Sequence, residues 1–218
     1  MDRIIKSVRR ADLWKSPLVP VQKIIIDSIL AGILIGMGGV VFLSCEDRVI
    51  GSVLFSFGLL TIVCRELSLY TGKIGYIRKL GFRDIVITLM GNFIGTFFVG
   101  AVVRMTRSQI TSSKLVETKL HDSPLSIFFL SVFCGALMYL AVDNYKKSRS
   151  WFFVILPVVI FILSGFEHCV ANMFFFTLAD VWQSWQAVMY VSLMIAGNAI
   201  GSWIFTLSPL MPEQKEKF

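Results

Sequence analysis

His168 has the most chemistry to offer in this chain. It is one of two histidines, and it follows Glu167 within an otherwise apolar run that starts at Trp151. An imidazole, with an unperturbed pKa of about 6.5, exchanges protons near neutral pH. Asn172 closes the same polar interruption, and a second one, Arg65-Glu66, is followed by Leu67-Ser68-Leu69-Tyr70-Thr71-Gly72. Enzymatic use of His168 and Glu167 is poorly supported, because no nucleophile–base pair, metal set or second catalytic carboxylate stands at a sensible spacing. Cys45, Cys64, Cys134 and Cys169 form no CxxC pattern and read as small, apolar free thiols. No HExxH or His/Cys cluster accompanies His121 or His168, so neither a structural metal nor a cofactor is expected.

The elements that must position these groups are set by composition. Of 218 residues, 56% are hydrophobic and only 16% charged, with a mean hydropathy of +0.74. A soluble domain runs near 45–50% apolar and about 25% charged. Six mostly apolar stretches, about 24–44, 49–72, 84–103, 125–142, 151–178 and 187–207, instead predict an all-α membrane protein with six transmembrane helices. The net charge of +7 then belongs to loops on one membrane face and does not mark a nucleic-acid reader. Fifteen basic residues fall before span one, between spans two and three, between four and five, and after span six; Arg48, Arg104, Arg107, Lys114 and Lys119 fall on the other side. Both termini are therefore expected in the cytoplasm. Residues 1–23 lack the pattern of a cleaved signal peptide and read as a cytoplasmic amphipathic lead-in helix. Residues 24–207 are expected to form a six-helix transmembrane domain, and 208–218 a cytoplasmic tail.

The chain also repeats itself. Gly91-Asn92-Phe93-Ile94-Gly95 returns 106 residues later as Gly197-Asn198-Ala199-Ile200-Gly201, and Ala31-Gly32 is echoed 103 residues later by Cys134-Gly135. Two three-span halves that start on opposite sides of a membrane make an inverted 3+3 repeat, a plan common to channels and transporters. The polar interruptions fall in the second span of each half, spans two and five. Ionisable groups at membrane depth cost roughly 2.5–3.5 kcal/mol each, and broken helices survive there only where the freed backbone is buried in protein or lines a cavity. Equivalent breaks in both halves point to a central pathway.

Gly165-Phe166-Glu167-His168-Cys169-Val170-Ala171-Asn172-Met173-Phe174 resembles the fifth-helix signature of the formate/nitrite transporter family. The resemblance extends to Ala31–Gly36, Leu69-Tyr70-Thr71-Gly72 and both Gly-Asn-x-Ile-Gly motifs, over about residues 20–207. It implies an aquaporin-like fold of six helices with helices two and five broken, a pore in each protomer, and a homopentamer in a bacterial-type inner membrane. It also implies that His168 is the pore histidine and that Thr71 is its hydrogen-bonding threonine. Phe55, Leu59, Leu69, Tyr70 and Phe161 match two apolar constrictions on either side of that histidine. Lys119 matches a lysine thought to draw anions inward, and Glu167 and Asn172 match residues that hold helix five in shape. Tyr70, Ser68 and Arg65-Glu66 depart from the family's usual phenylalanine, acidic residue and small residues, so the resemblance does not by itself imply the usual preference for formate over other small anions.

The expected function is a channel or transporter for small monovalent weak-acid anions, such as formate, nitrite or hydrosulfide. An anion crossing two apolar rings faces a large dehydration penalty, which a weak acid avoids by travelling neutral. The expected partners are the anion, protons and membrane lipid. Transport is coupled to protonation at His168, although burial disfavours a standing imidazolium. The alternative, an aquaporin-like channel for small neutral solutes, would want paired Asn-Pro-Ala turns, and the sequence has none.

Overall fold

The computed structural model describes residues 20–206, and everything in this span is helix or connecting loop. The tail over 208–218 and most of the lead-in over 1–23 fall outside the described residues. The first long helix, α1, already begins at Val21 and runs to Ser44. It is followed by α2 (Arg48–Cys64), α3 (Tyr70–Lys73), a single 3₁₀ turn, α4 (Ile77–Leu80) and α5 (Phe82–Arg104). Then come α6 (Ser113–Leu120), α7 (Pro124–Ser148), α8 (Phe152–Leu163), α9 (Cys169–Leu178) and α10 (Trp185–Thr206). Among the described residues, α1, α5, α7 and α10 are each long and apolar enough to cross a bilayer, and α2, α8 and α9 are shorter apolar helices. The runs 49–72 and 151–178 are therefore not continuous helices; each is interrupted.

Both interruptions have the same hydrogen-bond chemistry. At the end of α2, Glu66 N donates to Val63 O and Leu67 N to Ile62 O. At the end of α8, Gly165 N donates to Ile162 O and Phe166 N to Phe161 O. These are paired 5→2 and 6→1 closures with one left-handed residue after the cap: Gly165 at φ 70° in one, Glu66 at φ 59° in the other. Glycine adopts this conformation without a Cβ penalty, whereas glutamate pays roughly 1–2 kcal/mol for it. After each turn the chain is extended, and a new helix starts from Leu69 or from His168.

One asparagine holds each break. Asn92 of α5 donates through Nδ2 to Ser28 O and Ser68 O, both at 2.8 Å, and accepts from Tyr70 N at 2.8 Å. Asn198 of α10 donates to Ser131 O at 2.7 Å and Glu167 O at 2.8 Å, and accepts from Cys169 N at 2.9 Å. Both are fully buried, and every bond of one has its counterpart in the other. Close backbone approach makes these reaches possible. A Cβ on Gly32 would stand 2.3 Å from Asn92 O, and one on Gly135 2.2 Å from Asn198 O, so α1 meets α5, and α7 meets α10, through glycine. The outward faces of the long helices carry exposed Ile26, Phe98, Phe133 and Ile204.

Candidate pore site

The second break ends in a buried segment that carries Glu167 and His168. His168 is the N-cap of α9, and its Nδ1 accepts from Ala171 N at 3.1 Å. Its Nε2 lies 3.0 Å from Thr71 Oγ1 on α3. An Nδ1 that accepts carries no proton, so the neutral ring is the Nε2–H tautomer and donates to the threonine. Thr71 keeps its own hydroxyl proton to give. A second proton on the ring must go to Nδ1, where it displaces the Ala171 N–H and sets positive charge at a helix N-terminus, the positive end of the dipole. Both residues are buried, Thr71 at 0% and His168 at 2% exposure.

Apolar side chains close on this pair. The Phe161 ring lies 5.6 Å from the His168 ring and 6.0 Å from Phe55, which it meets edge-on. Leu59 is buried one turn further along α2 on the same face as Phe55. Leu69 and Tyr70 are buried beside Thr71, and the Tyr70 hydroxyl donates to Ile195 O of α10 at 3.0 Å. Phe55 and Phe161 also line a cavity of about 70 Å³, together with Arg48, Lys119, Phe166 and Asn172. Leu59, Leu69 and Tyr70 do not reach this cavity.

Lys119 and Glu167 belong together. Lys119 is on α6, a helix outside the six apolar stretches. Its Nζ lies 2.6 Å from both Glu167 carboxylate oxygens, with side-chain exposures of 12% and 4%. The pair carries no net charge, which cancels most of the field the lysine would cast alone. Asn172 Nδ2 donates to Glu167 Oε2 at 2.8 Å and to His168 O at 3.0 Å. Both of those partners are acceptors, so the amide orientation is fixed and Oδ1 is left buried; none of the described residues donates to it. Sequence reasoning did not single out Arg48 at this cavity. Its one trace was the i, i+7 spacing to Phe55, which puts both on one helix face.

Comparison with known proteins follows the same lines. The family model described as formate/nitrite transporter matches residues 2–211. The formate channel FocA of Haemophilus influenzae is 25% identical over 62% of this chain and 58% of its own length, so this chain spans well under two thirds of that relative. FocA of Escherichia coli is 25% identical over 81% of this chain and 72% of its own. A solved structure described as a pentameric formate channel with formate bound superposes with a TM-score of 0.71 at 24% identity, over 85% of this chain and 94% of that one. An FNT family ion channel superposes with a TM-score of 0.75 at 20% identity, over 84% and 86%. The helical architecture described above is therefore the fold of these channels.

Proposed function

The chain belongs to the formate/nitrite transporter family, and from that premise we propose that it is a membrane pore for small monovalent anions of weak acids: formate, nitrite or hydrosulfide. It is a transport protein of the helical membrane class and not an enzyme. The observation that carries the substrate reading is the hydrogen-bonded Thr71–His168 pair, sealed behind Phe55 and Phe161. A permanent ion would leave most of its hydration shell outside such a constriction, at a cost of many kcal/mol. A weak acid passes it as the neutral molecule, and the Thr71 hydroxyl and the imidazole then supply hydrogen bonds in the dry middle. Proton exchange at His168 is transient, because the imidazolium must give up the Ala171 bond.

The same reading extends outward. Spans two and five are the broken members of six spans arranged as an inverted 3+3 repeat, supported by the matched asparagine clamps and left-handed turns. The channel domain is 24–207, both termini are cytoplasmic, and five protomers assemble in a bacterial-type inner membrane, each with its own pore. Phe55, Leu59 and Phe161 form the outer constriction, and Leu69 and Tyr70 the inner one. Lys119 and Glu167, with Asn172, brace helix five beside the outer cavity.

Swelling of proteoliposomes in formate, nitrite, hydrosulfide, acetate and glycerol tests this reading. Rapid swelling is expected in the small weak acids and only the lipid background in glycerol. Swelling in glycerol as fast as in formate would establish a neutral-solute channel instead.

A further inference from the structure

Arg48 gives the outer cavity its charge. It is the exposed first residue of α2, and its Nη2 donates to Ile162 O at the end of α8 at 3.3 Å. It lines the cavity together with Lys119 and Asn172. Seven positions along, two helical turns or about 10 Å below it, the same face carries Phe55. Arg48 and Phe55 thus share one helix face and line the same cavity.

The two cations of this cavity are not equivalent. Lys119 is neutralised by Glu167, whose carboxylate takes it with both oxygens. Arg48 is bonded to a neutral carbonyl, and among the described residues no carboxylate forms an ion pair with it. The neighbouring Asp47 carboxylate caps α2, accepting from Ile50 N at 2.8 Å. The net positive charge of the lining therefore rests on Arg48. A guanidinium presents several N–H donors in a planar fork that suits a carboxylate or other small oxyanion, and one Nη on Ile162 leaves others to give.

A second observation points to a ligand here. Asn172 lines the same cavity, and its buried Oδ1 takes a hydrogen bond from none of the described residues. It is an acceptor, so an anion does not satisfy it, but the O–H or S–H of a protonated acid does. The cavity volume, about 70 Å³, is several times the roughly 10–15 Å³ that one water requires.

We propose that Arg48 is the anion-recognition residue of the outer mouth, which gathers the small monovalent anion into a cavity where Asn172 Oδ1 receives the acid once it is neutral. The proton comes from hydronium in the external solution, which is left as water, so anion and proton leave the cavity together as one uncharged molecule. This rests on the weak-acid reading above.

The test is uptake of radiolabelled formate or nitrite by proteoliposomes at 0.01 M and 1 M ionic strength, where the Debye length is about 30 Å and about 3 Å. Arg48→Gln is expected to slow uptake on the order of tenfold at low ionic strength and by a clearly smaller factor at high ionic strength. Arg48→Lys keeps most of the low-salt rate. The double variant Lys119→Gln/Glu167→Gln retains the salt dependence whatever its absolute rate, because it removes no net charge. Wild-type rates in Arg48→Gln at 0.01 M would overturn the proposal. Equal slowing at both ionic strengths would overturn it as well and assign Arg48 a packing role through Ile162. Absence of uptake by the wild type itself would instead remove the weak-acid reading, and it is seen before any variant is made.

Discussion

At His168 one ring serves two neighbours and so has one resting tautomer. Nδ1 caps α9 and Nε2–H meets Thr71, which ties the chemistry of the site to the integrity of a helix start. His168→Phe removes both bonds. The lost cap costs about 1 kcal/mol, so the protein is expected to insert and assemble while weak-acid flux falls by at least an order of magnitude at every pH. His168→Asn offers an acceptor to the cap and a donor to Thr71 and is expected to retain part of the flux, as measured by formate uptake. Unchanged uptake in His168→Phe contradicts the role given to the ring. His168 was legible from its residue type and its GFEH context. Lys119 was legible through the family resemblance, as a lysine that draws anions inward, but its pairing was not: its partner Glu167 lies 48 positions away, and nothing in the local sequence of α6 announces it. Arg48 carries no mark that separates it from a loop cation until α2 and α8 are docked.

At the scale of elements, the breaks are built by closure bonds and then pinned by asparagines from neighbouring helices. Asn198→Ala would strand Cys169 N–H and the carbonyls of Ser131 and Glu167, at roughly 1–3 kcal/mol for each buried group left without a partner. The expected result is a clear fall in the thermal midpoint in detergent and near-complete loss of flux, because the residue anchors the extended segment that carries His168. Asn92→Ala releases the Tyr70 side of the pore in the same way and is expected to destabilise similarly. A midpoint within a degree of wild type in both would show that the clamps do not hold the breaks. The repeated Gly-Asn-x-Ile-Gly motif made the clamp residues visible in the sequence, and the polar interruptions made the two segments visible. The register of the turns was not visible, since Glu66 occupies the left-handed position that its counterpart fills with Gly165, and glutamate gives no sign of that conformation. The short amphipathic α6 was equally hidden, because eight residues of mixed polarity carry too little periodicity to separate from loop.

For the whole molecule, a small polar cluster of Thr71, Glu167, His168 and Asn172 sits within an apolar core, and the perimeter is apolar as well. Phe57, Phe98 and Phe133 are each at least half exposed, surface that lipid or neighbouring protomers must cover. Native mass spectrometry in mild detergent is expected to give a pentamer; a stable monomer with full transport activity would contradict the assembly. That the chain crosses a membrane was legible from hydropathy alone, but the number of protomers is written in surfaces that no single chain displays.

The most direct measurement of the central claim, that a weak acid crosses this pore as a neutral molecule, follows internal pH in proteoliposomes loaded with a pH-sensitive dye under an inward formate gradient. Fast internal acidification without a membrane potential is expected, with a rate that rises as external pH falls because more of the formate is protonated on arrival. A membrane potential that develops without acidification would mean that the bare anion crosses, and would contradict the account.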